Sequence, residues 1–257
     1  MRRLAVLATA AATLLLSCGE TEVRVAGPSV PTGTTGTSEP TGVTVGTGPT
    51  GATAPTGPTA QVPCVEAGTL EVAAKANLFA AGIAELPHPA GGGGGVFPVC
   101  VVIPSGATTA SVSDATGEVT FNATGSPTSG PDGDSSGSYA GGTIEPAGAV
   151  SGIVSTARVG FVAGVFLGDT PPSAPPASLS FDDNYDFAEL LPALGQVFYI
   201  GDGAAADGDL HAFVVPQGAT HLYLGIADGF SFAGPPGFYD DNDGAFTVSV
   251  RFDFGVD

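Results

Sequence analysis

Ala245-Phe246-Thr247-Val248-Ser249-Val250-Arg251-Phe252-Asp253-Phe254 alternates, residue by residue, between apolar and polar side chains. Successive side chains of an extended chain point to opposite faces, so Phe246, Val248, Val250, Phe252 and Phe254 share one face and Thr247, Ser249, Arg251 and Asp253 the other. One face is core and the other is wet. Working back from this strand, short apolar runs give further strands at Leu70 to Ala76, Val96 to Ile103, Glu118 to Ala123, Gly160 to Leu167, Gln196 to Ile200, His211 to Val215 and Thr220 to Ile226. Turn clusters separate them at Gly91 to Gly95, Ser129 to Ser138, Pro171 to Pro176 and Asp202 to Asp209. The stretch Phe161-Val162-Ala163-Gly164-Val165-Phe166-Leu167 is apolar throughout and predicts a central strand buried on both faces. Only Phe187 to Leu194 hints at a helical turn. Short strands punctuated by Gly and Pro predict an all-β fold, a jelly-roll-like antiparallel β-sandwich over residues 64–257, preceded by a disordered linker.

Composition excludes several classes. The 257 residues carry 6 Lys+Arg against 25 Asp+Glu, a formal net charge of -19. Nucleic-acid binding needs a basic face to neutralise phosphates, and beyond the first residues only Arg24, Lys75, Arg158 and Arg251 could supply it. With Gly 40 and Pro 22 in the chain, helical bundles and coiled coils are excluded too. A hydrophobic fraction of 43% is enough to build a core, which argues against global disorder.

The N-terminus points to export. Arg2 and Arg3 precede an apolar run from Leu4 to Leu16, too short to span a bilayer core of about 30 Å and suited to a signal peptide over residues 1–17. Leu15-Leu16-Ser17-Cys18-Gly19 then resembles a bacterial lipobox, which implies cleavage before Cys18 and lipidation of that cysteine. A lipid anchor holds a protein to the membrane without a transmembrane helix, through about 0.8 kcal/mol per buried methylene. Gly19 rather than Asp after the cysteine implies the outer membrane of the cell envelope. Residues 18–63 change to Thr, Gly and Pro, with eleven Thr, seven Gly and five Pro between Pro31 and Ala60, and read as a flexible tether.

With Cys18 lipidated, Cys64 and Cys100 remain as an even pair in an oxidising compartment, and a disulfide is expected. Closing a loop of about 36 residues stabilises a fold by roughly 3 to 4 kcal/mol in the chain-entropy model. A metal site is the rival reading, but no CxxC pair is present and His88 is the only imidazole nearby in sequence.

Enzymatic chemistry finds little support. Gly133-Asp134-Ser135-Ser136-Gly137 matches G-x-S-x-G, yet neither the strand before it nor the helix after it that exposes a nucleophilic serine is predicted. His88, His211 and His221 share no metal-binding spacing, and the last two fall at strand starts, where surface or capping roles are common. Gly91 to Gly95 lacks the lysine and the helix of a phosphate loop and reads as a hairpin tip. Asn122-Ala123-Thr124 is a glycosylation sequon by pattern only. Acidic loops carry the stronger signal: Asp132-Gly133-Asp134, Asp207-Gly208-Asp209 and Asp240-Asp241-Asn242-Asp243-Gly244 bring carboxylates together in turns, an arrangement that offers a hard cation such as Ca2+ several oxygen ligands. A solvated turn that uses Asp for its local geometry is the rival reading of each loop, and the plainer one for Asp207-Gly208-Asp209.

His221-Leu222-Tyr223-Leu224-Gly225-Ile226-Ala227-Asp228, followed by Phe238-Tyr239-Asp240-Asp241-Asn242-Asp243-Gly244-Ala245-Phe246-Thr247-Val248, resembles the PA-I-type galactophilic lectins, calcium-dependent galactose-binding β-sandwiches. The resemblance implies Asp228, Asp241 and Asn242 as side-chain calcium ligands, with carbonyls from Phe238 and Ser129, and sugar contacts from Asp228, Asp241 and Tyr239. A broader likeness, over nearly all of Val65 to Phe254, is to uncharacterised bacterial exoproteins that carry this domain, often ahead of a PEP sorting tail. They share Gly164-Val165-Phe166-Leu167, the run from Leu194 to Gly203, and Leu224-Gly225-Ile226-Ala227-Asp228-Gly229. The chain departs from the lectins in three ways: the Asp228 to Asp241 loop is longer, the first Asn is Asp, and the sugar-contacting His/Gln pair has no counterpart. The expected function is a non-enzymatic, lipid-anchored surface protein that binds calcium and a glycan; the alternative is a structural or adhesive lipoprotein in which calcium serves the fold alone.

Overall fold

The computed structural model describes residues 63–87, 93–122, 125, 128–136, 141–182 and 184–255. The signal segment, Cys18 and the tether lie outside these residues, as do His88, the start of the glycine run and part of the sequon. Twelve strands form among the described residues: β1 Thr69–Ala73, β2 Val99–Val102, β3 Ala107–Thr120, β4 Gly142–Ile144, β5 Ile153–Ser155, β6 Val162–Leu167, β7 Leu179–Ser180, β8 Glu189–Leu190, β9 Val197–Tyr199, β10 Ala212–Val214, β11 His221–Ile226 and β12 Asp243–Phe254. The fold is all-β. A five-stranded sheet runs β1-β12-β3-β10-β8, a four-stranded sheet β2-β11-β6-β9, and a three-stranded sheet β4-β5-β7. Most pairings are antiparallel; β8 with β10 and β5 with β7 are parallel.

The alternation in β12 becomes burial. Phe246, Val248 and Val250 are buried while Thr247, Arg251 and Asp253 are exposed, and only at the strand's end does the apolar face emerge, with Phe254 55% exposed. These side chains meet Val165, Phe166, Leu222, Leu224 and Ile226 of the four-stranded sheet in one core. Every residue of β6 is buried, as its uniformly apolar sequence predicts, and it lies between β11 and β9. Gly164 within it is required by close approach: a Cβ there would lie 2.8 Å from the Phe198 ring.

Two elements differ from expectation. The strand expected from Glu118 starts at Ala107, because its first half, Ala107-Thr108-Thr109-Ala110-Ser111-Val112, buries only small residues, Ala110 and Val112, and shows little apolar contrast. Asp114, at φ 53°, and Gly117, at φ 114°, then bend it, and β12 shifts register against it between Thr247 and Ser249. The helical turn expected over Phe187 to Leu194 is instead β8: Ala212 N–H donates to Ala188 O and Ala212 pairs with Glu189, so neighbouring chain rather than a helical turn satisfies this backbone. Cys64 and Cys100 form the expected disulfide, with Cα atoms 4.5 Å apart, and Val65 beside it pairs its backbone with Cys100 and Val102. The imidazole near these sulfurs is His221, whose nitrogen lies within 4.8 Å of both.

Candidate functional site

β11 and β12 are joined by the segment from Ala227 to Asn242, and its two ends meet beneath the loop. Asp228 is 3% exposed and Asn242 1%. Asp228 Oδ1 accepts the Gly229 N–H at 2.7 Å, and Oδ2 accepts Asn242 Nδ2 at 2.8 Å. The second Nδ2 proton goes to Ala74 O, just past β1, at 3.0 Å. Both partners of that nitrogen are acceptors, which fixes the amide orientation, since an oxygen in its place would face two lone-pair carriers. Asn242 Oδ1 is thereby directed elsewhere, and it is buried without a hydrogen-bond partner. Such a buried acceptor is costly unless a donor or cation meets it.

Tyr239 supports the carboxylate from below. It sits in the 3-10 turn Tyr239–Asp241, is fully buried, donates its hydroxyl proton to Ile226 O at 2.8 Å and accepts the Asp228 N–H at 3.2 Å. This corrects the expectation that Tyr239 touches a sugar: a ring with no exposed surface orients the Asp228 backbone instead. Gly93 to Gly95, expected from the sequence to belong to a hairpin tip, lie against the same turn. Tyr239 N–H donates to Gly93 O at 3.3 Å, and a Cβ on Gly95 would sit 2.6 Å from Tyr239 Cβ. Asn77, whose Nδ2 donates to Gly94 O at 3.0 Å, ties this strap down. Neither Asn77 nor the strap was marked as functional in the sequence; the Asn preceding Leu78-Phe79, which caps that turn through Phe79 N–H, is the one local signal.

Burial is the main cause that lifts the Asp228 carboxyl from its ordinary 3.8 to about 7; the bonds from Asn242 and Gly229 oppose the shift, and the neighbouring Asp241 charge adds to it. Asp241 is exposed and, with Asp228, Phe238, Phe230, Ser231, Phe232 and Phe121, lines a depression of about 240 Å³. Phe238 enters the 3-10 turn at φ 70°, a left-handed conformation rare for a residue with a Cβ. The structure therefore gathers Asp228, Asp241, Asn242 and Phe238 at one place. Ser129 sits across β3 from β12: its carbonyl accepts the Val119 N–H at 3.0 Å, and Val119 in turn faces Gly244 of β12. Its buried hydroxyl has no partner.

The other acidic loops are held by local bonds. Asp132 accepts from Tyr199 Oη and Asp202 N–H, each at 2.9 Å, and its second oxygen lies 3.5 Å from Arg158, which is among the few basic side chains of the domain. Burial, with Asp132 beside it, holds the Tyr199 phenol well above its usual range. Asp207 accepts Asp209 N–H within its own turn, and Asp134 accepts Ser136 N–H, an Asp-capped turn in the described part of the G-x-S-x-G string. His211, expected at the surface, is fully buried: its ring stacks on Phe187 at 4.2 Å and its Nδ1 bonds Phe187 O. No protein-family model matches the chain, and neither does any curated protein.

Proposed function

We propose that this chain is a lipid-anchored bacterial surface protein whose β-sandwich binds calcium at the β11–β12 loop and carbohydrate through that site. The observation that carries the reading is the buried, partnerless Oδ1 of Asn242 on the same amide that holds the buried Asp228 carboxylate. Two carboxylates, an amide oxygen and the backbone oxygen of Phe238 make an all-oxygen donor set, which suits a hard divalent cation. Ser129 O keeps a second lone pair after accepting Val119 N–H and is the remaining carbonyl of the set that the lectin resemblance implies.

In this reading Asn242 fixes the orientation of Asp228, Tyr239 fixes its backbone, and Asp241 adds a second charge at the rim. Bound calcium supplies positive charge and coordination positions for vicinal hydroxyls. Asp228 and Asp241 would then accept hydrogen bonds from those hydroxyls. A glycan array probed with the full chain, in calcium and in chelator, tests this: calcium-dependent hits support it, and signals identical in the two buffers contradict it. Membrane attachment is tested separately, since Cys18→Ala is expected to release the protein from the membrane fraction.

A further inference from the structure

His221 opens β11 and pairs with Val102 of β2, while Tyr223, two residues on, pairs with Cys100. Partners in an antiparallel ladder share a face, and so do residues two apart, so the His221 and Cys100 side chains stand on one side of the four-stranded sheet. Cys64 reaches the same spot from the opposite edge of β2, through backbone bonds that do not depend on its sulfur: Val65 N–H donates to Cys100 O and Val102 N–H to Val65 O, each at 2.8 Å. One nitrogen of His221 and both sulfurs thereby lie within 4.8 Å of one another. The imidazole is also held by its neighbours. Thr220 Oγ1 donates its one proton to Asp169 Oδ1 at 2.8 Å and lies 2.9 Å from His221 Nδ1, so its lone pair accepts the Nδ1 proton. That leaves the lone pair of the neutral ring on Nε2, and a hydrogen-bonded relay of this kind is what orients metal-binding histidines.

We propose that Cys64, Cys100 and His221 bind zinc, or an ion of the same borderline-soft class, in the reduced chain, so that the disulfide and the metal are alternative states of one locus. A dithiol supplies the two electrons: it is oxidised to its own disulfide as the Sγ–Sγ bond breaks, and two protein thiols form. The metal then displaces both thiol protons to solvent and takes the lone pair of His221. Zinc bonds of about 2.3 Å to sulfur and about 2.0 Å to nitrogen, set tetrahedrally, put the sulfurs about 3.8 Å apart and each about 3.5 Å from the nitrogen. With the Cα atoms 4.5 Å apart, rotation about the Cα–Cβ bonds opens the sulfurs to that spacing while the backbone pairing stays. Three protein ligands leave a fourth position to water, and the His221 side chain, 26% exposed, gives an ion access. Thiolate and imidazole separate this site from the all-oxygen donors of the β11–β12 loop, since the first set suits zinc and the second calcium.

Cobalt(II), which takes zinc's place and reports thiolate bonds by charge-transfer absorption, is the probe. The full chain is reduced with a dithiol, freed of it without air, and titrated with Co2+ in parallel with the oxidised chain. Reduced wild type is expected to show the thiolate band, saturating at one equivalent and abolished by Zn2+, while the oxidised chain shows none whatever its carboxylates bind. Cys64→Ser/Cys100→Ser is expected to lose the band. His221→Ala and His221→Gln are each expected to weaken Co2+ binding at least tenfold and Thr220→Val about tenfold, whereas His88→Ala leaves it unchanged. Both His221 variants are expected to melt like the wild type when oxidised, which reports that they fold. A reduced wild type without the band, a band of undiminished affinity in both His221 variants, or a band lost in His88→Ala would each overturn the site.

Discussion

Asn242 donates its Nδ2 to Asp228 Oδ2 at 2.8 Å, fourteen residues back along the chain, and the same nitrogen donates to Ala74 O from β1's end at 3.0 Å. One amide therefore links the end of β11, the start of β12 and β1, the edge strand of the five-stranded sheet.

Asn242→Ala removes both bonds and leaves Asp228 and the Ala74 carbonyl under-satisfied in a buried place. A loss of about 2 to 3 kcal/mol is expected in denaturant unfolding monitored in chelator. Tyr239→Phe, which removes only the hydroxyl that bridges Ile226 O and Asp228 N–H, is expected to cost about 1 kcal/mol. Equal stability of Asn242→Ala and wild type would contradict the linking role.

Asp228 makes the calcium-free protein sensitive to pH. Its carboxyl in the folded chain ionises near 7 rather than 3.8, so between those values the folded state holds a proton that the unfolded state lacks. Stability in chelator is therefore expected to fall as pH rises from about 4 to 7, by up to about 1.4 kcal/mol per pH unit from this group, and to level off above. Asp228→Asn removes this part of the slope, and calcium flattens it in the wild type, because a cation takes the place of the proton. Denaturant midpoints at pH 5, 6, 7 and 8 measure both; a wild-type slope unchanged in Asp228→Asn would count against the buried carboxylate as its source.

The Cys64–Cys100 disulfide pins residues just before β1 to β2, at one edge of the four-stranded sheet. The double variant Cys64→Ser/Cys100→Ser is expected to lose roughly 3 to 4 kcal/mol, a fall in melting temperature of about 10 °C for a domain of this size. Non-reducing peptide mapping of the wild type should recover the linked pair.

Legibility in the sequence followed contrast. β12 and β6 could be read directly, because one alternates large apolar with polar residues and the other is apolar throughout. The first half of β3 could not, since Ala110 and Val112 are small and the polar face is Thr and Ser, which also fit a loop. β8 is two residues long and exists only because β10 lies alongside, a tertiary fact with no local trace. At the site, Asp241 and Asn242 were visible within an acidic loop before the last strand, while Asp228 came only from the lectin resemblance. The burial of Tyr239 was not, because the surface that covers it comes from the Gly93 to Gly95 strap, more than 140 residues earlier.

Melting the purified full chain in calcium and in chelator tests the central claim most directly. Calcium at 100 times its dissociation constant is expected to add about 2.7 kcal/mol by mass action, a rise of several degrees in melting temperature. Asp228→Ala and Asp241→Ala should each remove most of that rise while still folding in chelator. A wild type that melts at the same temperature in both buffers, with no calcium binding in calorimetry, would contradict a cation site at Asp228, Asp241 and Asn242 and the carbohydrate reading built on it.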